Sequence, residues 1–584
     1  MALSMHIKLL LALCIIKNVI CANTWLRDSS LIDMSIRFQR DVAQPIPIDQ
    51  LTSVGFSLNT MLFNKDGYTL SALDDLKSYL DMGAQTLVVE LYWNEFTQKW
   101  QLCPAPFPRN STSNLDVAET LEWKGNTYKC QAMLTTSLLM QTIYSFLSET
   151  NSNLDVNNIE LLFKLKTILA ETTTNRTNTL QDIYTSTNAS FNSLGNSTLS
   201  DTISSFGNLV FTPKDLDNYR VRQSQNSKYN TFYNQSSNTL PSLETFLFVD
   251  FKRILVNVIS NDVVNSSLSY NFTNADRDQI FFSNSNLRTT IQSTSNTSVY
   301  DKCVESLNNR KENVTALNKI SLTTNFEYIV DHENKPFTNS TYRDYIRCGI
   351  SPIFNSSHYI VNNDGDDTNT TENSEIIENF VPLSFWSWAP GQPNTGDNSA
   401  NFNMNVTEIS KSNAFKCVAL FADGWHVVDC YSRYHYACQK NGSPHEWIVN
   451  DDEKSYFDSF SDPDCPEGYD FTLPRLSLES LSLKDAIEEN NRSYPVWIDL
   501  NDITVTNCFV SGGPYAQCPY QRTVTRSKLV KLIAPSFLVA LFIVVAIFVD
   551  KIFTKHPIQT NRKRYWKRII NEYNEKNEYE GVPS

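Results

Sequence analysis

The sequence predicts a multidomain protein of α/β and α+β units that enters the secretory pathway and is held in a membrane by one helix. Three observations predict it. Helical and strand-like apolar runs alternate through the first half of the chain, which favours a parallel sheet covered by helices. Ten cysteines, an even number, follow the N-terminal leader in a region dense in Asn-x-Ser/Thr sequons, which suits an oxidising, glycosylating compartment. A long uncharged apolar run stands near the C-terminus, where it has the length of a bilayer span.

Taken in order, residues 1–22 read as a signal peptide. His6 and Lys8 precede the apolar run Leu9–Ile16, and Ile20-Cys21-Ala22 offers a cleavage site before Asn23. A first domain is expected over 23–300. Leu70, Leu73, Leu76 and Leu80 recur at helical spacing and stop at Gly83, and the strand-like AQTLVVELYW follows at once. Ile159–Leu169 (IELLFKLKTIL) and Thr245–Ile259 (TFLFVDFKRILVNVI) read as further strands. Between them Glu171–Asn208 is rich in Asn, Ser and Thr, and is expected to be a glycosylated loop. No internal repeat is present.

From Cys348 to Cys438 the pattern changes. FWSWAPGQPN (Phe385–Asn394) precedes CVALFADGWHVVDCYSRYHYAC (Cys417–Cys438). This resembles a C-type-lectin-like domain, expected over 301–440. The resemblance implies the disulfides Cys348–Cys438 and Cys417–Cys430; Cys103 and Cys130 are expected to form another. It also makes Trp386, Trp388, Gln392 and Asn394 the ligand-binding candidates, with Trp425 mainly packing the core. Calcium-dependent members complete a Gln-Pro-Asn loop with an Asn-Asp pair after the tryptophan, but here His426 and Val427 follow Trp425. Calcium takes six to eight oxygens, so losing a carboxylate weakens the site. Asp397 and Asp429 are near in sequence but off the matching positions, and no metal or other cofactor is expected.

Residues 441–528 form an expected disulfide-tied juxtamembrane module, with VWIDLNDITVTNCFVSGGPYAQCPY (Val496–Tyr520) as a hairpin turning at Gly512-Gly513-Pro514. Together with the leader, the apolar run and the terminal YEGVPS, this block resembles the fungal maintenance of telomere capping protein 6 family. That resemblance implies a single-pass type I membrane glycoprotein with a degenerate TIM-barrel-like, phospholipase C-like N-terminal domain. Phospholipase-like barrels use histidines on their early strands, yet after the leader the first histidine here is His332. Carboxylates at strand ends remain as catalytic candidates: Glu90, Glu95 and Asp250. Arg37 and Arg40 are candidates to hold an anion.

The uncharged run Leu532–Val549 places a transmembrane helix at 529–550, followed by a tail, Lys551–Ser584, with eight basic and four acidic residues. With −14 overall, +4 in the tail and +2 in the leader, the intervening chain carries about −20. So acidic a region is a poor partner for nucleic acid. Fifteen sequons are candidate glycosylation sites: Asn110, Asn175, Asn188, Asn196, Asn234, Asn265, Asn271, Asn296, Asn313, Asn339, Asn355, Asn369, Asn405, Asn441 and Asn491. The expectation is a non-enzymatic binder of glycans or luminal glycoproteins, anchored in a membrane with its N-terminus luminal. The alternatives are a carboxylate-dependent glycan hydrolase and a structural scaffold.

Overall fold

The computed structural model describes residues 31–577 apart from 109–116, 170–193, 223–231, 233–239, 264–267, 283–286, 288, 297–316, 319–320, 322–325, 364–365, 394–414, 521–525 and 554–557. The chain divides into two compact units, Met1–Cys518 and Pro519–Ser584.

The first half of the larger unit is built on the strands Gly55–Ser57 (β1), Thr86–Asn94 (β2), Lys99–Gln101 (β3), Ala118–Trp123 (β4), Asn126–Gln131 (β5), Ile159–Ile168 (β6), Val210–Phe211 (β7), Ile254–Asn261 (β8), Thr290–Ser293 (β9), Glu327–Val330 (β10) and Ser351–Phe354 (β11). They pair in the order β7-β8-β6-β2-β1-β11-β10-β9, all parallel, and β3 adds antiparallel to β2. Read as β9-β10-β11-β1-β2-β6-β8, this is chain order with the last strand joined to the first, as in a TIM barrel. The short β7 lies on the outer edge of β8, and the ring is open between β7 and β9 among the described residues. Its curl is shown by one hydrogen bond: Tyr328 Oη on β10 donates to Glu160 Oε2 on β6, four strands away, at 2.5 Å.

Strand alternation sorts the two faces. Leu87, Val89 and Leu91 of β2 and Leu161, Phe163 and Leu165 of β6 pack outward with Leu76 and Leu80 of helix Ala72–Asp81 and with Leu139 and Ile143 of helix Thr136–Glu149. Val88, Leu162, Leu255, Tyr328 and Ile353 meet inside the ring. The helix from Ala72 onward thus stands where the leucine spacing put it, directly before β2.

The expected boundary at 300 is corrected by β10 and β11, which are barrel strands. Thr245–Ile259 is also corrected: Thr245–Val249 is a wide helical turn, and the strand begins only at Ile254. Of Glu171–Asn208 the described part begins beyond 193 and contains helix Leu199–Thr202, closed by a capping box from Thr198 and Asp201.

The second half of the unit contains a hairpin of Tyr359–Asn363 (β12) and Asp366–Thr370 (β13), then Phe415–Leu420 (β14), Trp425–Asp429 (β15), His435–Lys440 (β16), Trp447–Val449 (β17), Tyr469–Phe471 (β18) and Val496–Asn501 (β19). The last six form one sheet in the order β15-β14-β19-β16-β17, with β18 beside β16. β19, expected in a separate juxtamembrane module, is the buried centre of this sheet, antiparallel to β14 and parallel to β16. The residues assigned to two domains therefore make one.

Disulfides Cys103–Cys130 and Cys417–Cys430 are as expected. The pairing Cys348–Cys438 is not formed: Cys438 bonds to Cys465, joining β16 to the loop before β18. Cys348 is disulfide-bonded elsewhere, and its side chain lies in the barrel core. Cys508–Cys518 closes the loop after β19, whose return is fixed by Asn501 and Val510 exchanging main-chain hydrogen bonds of 3.0 and 2.8 Å.

The two halves share helix Leu31–Val42. Met34, Phe38 and Val42 enter the second core beside Trp388, Val418 and Phe509. On its other side the Arg40 guanidinium donates to the carbonyls of Asn153, Leu154 and Val156 below the barrel. Arg40 also pairs with Asp41 at 2.8 Å, so its donors are engaged within the fold.

In the smaller unit Arg526–Phe553 and Ile558–Asn577 are helical. Among the described residues no helix is long and apolar enough to cross a membrane. The described side chains of the apolar run span Ile533 to Val549, about 25 Å of helix against roughly 30 Å of bilayer hydrocarbon. Phe537, Phe542, Ile547 and Phe548 among them are exposed.

Candidate functional site: the mouth of the barrel

Parallel strands open their C-terminal ends toward one face, where loops place reactive side chains. In β2 the residues facing inward are Thr86, Val88, Glu90 and Tyr92; in β6 they are Glu160, Leu162, Lys164 and Lys166. The register sets Glu90 beside Lys164 and Tyr92 beside Lys166. The middle of the lumen is apolar, and its two ends are polar for different reasons.

At the closed end Thr86 Oγ1 donates to Glu160 Oε2 at 3.0 Å and is itself 2.7 Å from Ser53 Oγ. With Tyr328 this satisfies a fully buried carboxyl, whose pKa is pushed up to about 7 by burial against the pull of those two hydrogen bonds. A cavity of about 60 Å³ adjoins it, lined by Gln39, Arg40, Glu160, Trp386 and Arg475 among others. That is room for a couple of waters, not for a sugar.

At the mouth Glu90 Oε2 accepts from Lys166 Nζ at 2.7 Å and from Tyr92 Oη at 2.8 Å. Lys166 also stands 5.7 Å from the centroid of the Tyr92 ring. Tyr68 Oη donates to Asn59 Oδ1 just beyond β1. Burial, then the Glu90 charge, push the Tyr68 and Tyr92 phenols above their usual range, with Tyr128 adding to both. Tyr128 comes from the β4–β5 hairpin, tied down by Cys103–Cys130 and by Tyr68 N–H donating to Lys129 O at 2.7 Å. Burial holds the Lys164 ammonium below the usual lysine range, opposed by Glu90 and reinforced by Lys166.

Of the catalytic candidates, only Glu90 reaches this mouth on the inward face. Glu95 lies just past the end of β2, buried, with its N–H donating to Ile168 O at 3.2 Å. Asp250 precedes β8 at the opposite end, where Arg222 holds both its oxygens at 2.9 Å. Roughly 16 Å of strand separates that end from Glu90. His332, on which the exclusion of histidine chemistry turned, follows β10 and so belongs to the barrel rim. It is exposed, and its Nδ1 accepts from Asn334 N–H within a turn. Its neighbour Asp331 is buried, raised to about 6 by desolvation, and accepts from Ser356 Oγ and the Asn355 and Phe337 amides.

In the second sheet Trp388 and Trp425 are buried edge to face at 5.8 Å, and half-buried Trp386 leans on Trp425. Their loop runs as an extra strand along β15, with Trp425 N–H donating to Ser387 O and Ala389 N–H to Trp425 O. Gln392 Oε1 accepts from Val427 N–H at 3.2 Å, so the side chain reads a main chain inside the fold. Asp429 closes the β15 turn by accepting from Tyr431 N–H. Asn394 and Asp397 lie outside the described residues. Among the described residues no three His, Cys, Asp or Glu side chains are grouped to hold a metal.

Lys164 and Lys166 were missed in the sequence. The signal was present: in IELLFKLK the charged residues 160, 164 and 166 share the parity of one strand face. A run read as simply apolar hid it.

Fold and mouth together define a partial TIM-barrel protein whose lumen ends in a charged, tyrosine-flanked opening. Comparison agrees: residues 27–379 match a family described as the MTC6 partial TIM-barrel domain. Relatives named maintenance of telomere capping protein 6 are 46% identical in Debaryomyces hansenii, with 97% of each chain covered, and 44% identical in Candida albicans, with 94% of each covered. One from Yarrowia lipolytica is 27% identical, covering 96% of this chain and 93% of its own. The chain belongs to the maintenance of telomere capping protein 6 family.

Proposed function

We propose that the chain is a non-enzymatic, membrane-anchored binding protein of the secretory pathway that recognises glycans or glycoprotein partners, and that it serves the maintenance of telomere capping indirectly. One observation carries the non-enzymatic reading. Glu90, the only proposed catalytic carboxylate on the inward face of the mouth, is neutralised by Lys166 and Tyr92. Glycoside hydrolysis uses two carboxyl groups flanking one bond, and Asp250 is at the far end of the barrel. Anchoring is supported by the helical, uncharged stretch 532–549 and the exposed apolar side chains along it. A basic tail beside it, with Arg562, Lys563, Arg564, Lys567 and Arg568 on one helix, suits an anionic cytosolic leaflet. A lumen-facing acidic unit has no route to chromosome ends, so the telomere role runs through the secretory pathway.

The test is glycan-array binding by the purified protein, with and without a calcium chelator. The expected result is binding that the chelator leaves unchanged, because Gln392 is spent on Val427. Binding abolished by the chelator and by Asn394→Ala overturns the calcium-independent reading, and absence of binding overturns the glycan reading.

A further inference from the structure

We propose that the barrel mouth is a subsite for an anionic saccharide, a sugar carrying a phosphate or carboxylate group, with Lys164 as the direct contact to the anion. The proposal rests on the glycan-binding reading above and names where and by what chemistry one class of glycan is held.

Lys164 sits on the inward face of β6, in register with Glu90. Among the described residues its ammonium has no hydrogen-bond or ion-pair partner, whereas the neighbouring Glu90 is already taken by Lys166 and Tyr92. Glu90 acts on Lys164 only through space, and a partly desolvated cation without a hydrogen-bonded anion is unfavourable unless something anionic completes it. The excess is local: two lysines face one carboxylate here, on a chain of net charge −14. The positive mouth therefore does not follow from composition.

The neighbouring strand is irregular here: β8 carries one extra residue, Ile259, so that Lys164 lies opposite Ser260 while Phe163 lies opposite Val258, and β6 itself pairs with β2 without a break. The bulge sets the small Ser260, rather than Ile259, beside Lys164. Tyr92 and Tyr128, both only partly buried, stand around the same charges, whereas Tyr68 is buried and stacked on Phe63. Aromatic faces with polar edges suit a pyranose ring, apolar on one side and hydroxylated at its rim. Of the two cations named from sequence, Arg40 is committed to three carbonyls and Asp41, and Arg37 is buried on the same helix, which packs below the barrel and not at its mouth; Lys164 is the cation the mouth itself offers.

The experiment is calorimetric titration of the full chain in detergent with mannose 6-phosphate, glucuronate, inorganic phosphate and mannose. The expected result is binding of mannose 6-phosphate or glucuronate at least tenfold tighter than mannose and than inorganic phosphate, the two sugars separating a phosphate from a carboxylate ligand. Lys164→Met should weaken it tenfold or more without lowering the unfolding temperature, Lys164→Arg should retain part, and Asp250→Asn should leave it unchanged. Equal affinity for mannose, inorganic phosphate bound as tightly as the sugars, no binding of either charged sugar at millimolar concentration, or affinity untouched by Lys164→Met each overturns the proposal. Array binding that persists without mouth binding would remove this subsite and keep the broader glycan reading.

Discussion

Glu160 shows how one residue sets a property of the whole fold. Its carboxyl holds a proton more tightly folded, at about 7, than in an unfolded chain near 4.5. Stability attached to it is therefore present at low pH and lost as pH rises from about 4.5 to about 7. The shift amounts to roughly 3 kcal/mol. Asp331, raised to about 6, works in the same direction. His445 works in the opposite one: buried between Ser321 and Ser482, it is pushed down to about 3 and destabilises the fold as pH falls below about 6.5. The difference between wild type and Glu160→Gln isolates the first of these contributions. Urea denaturation should show the Glu160→Gln variant less stable than wild type or equal to it at pH 5 and more stable at pH 7.5, by about 2–3 kcal/mol. A difference independent of pH would contradict the placement of a neutral acid between Tyr328 and Thr86.

At the scale of elements, the tryptophan loop and β19 decide how the second sheet closes. Gly424, at φ 149°, lies so close to that loop that a Cβ would sit 2.6 Å from Ala389 N. Gly424→Ala should lift the loop from β15, cost about 2–4 kcal/mol, and raise the solvent exposure of Trp388 and Trp425, read as a red shift in fluorescence. Asp499 of β19 gathers the Gly512 and Gly513 amides and the Tyr456 hydroxyl at 2.7, 3.0 and 2.9 Å. Asp499→Ala leaves two buried donors, Gly513 N–H and Tyr456 Oη, unpaired and should cost about 2–4 kcal/mol; hydrogen exchange should rise in Cys508–Cys518 before elsewhere. The helix before β2, β2 itself and β6 were legible because each is long and strongly periodic. Thr245–Val249 was not, because a short continuous apolar run fits a buried turn as well as a strand. The role of VWIDL was hidden too: nothing local says that a strand so far downstream will insert between β14 and β16. Cys438 followed it, taking Cys465 in place of Cys348.

At the scale of the molecule, helix Leu31–Val42 is the tie between barrel and second sheet. Phe38 is 2% exposed and packs on Phe509 and Trp388 at 4.9 and 6.0 Å. Phe38→Ala should cost about 3–5 kcal/mol and split one unfolding transition into two in calorimetry; a single transition would show that the halves stay coupled without it. Of the barrel strands, β2, β6 and, with a displaced start, β8 were legible from sequence. The last three strands are short and separated by polar loops, so periodicity gave out where topology still required closure. Of the mouth, Glu90 was visible at the end of a clear strand, while its partner Lys166 depended on a register that only pairing reveals. Binding without catalysis is checked by incubating the purified protein with cell-wall mannan and β-glucan and measuring new reducing ends. No reducing ends above a heat-denatured control are expected, in wild type and Glu90→Gln alike. Reducing ends released by wild type and abolished in Glu90→Gln would make the mouth an active site and contradict binding without catalysis.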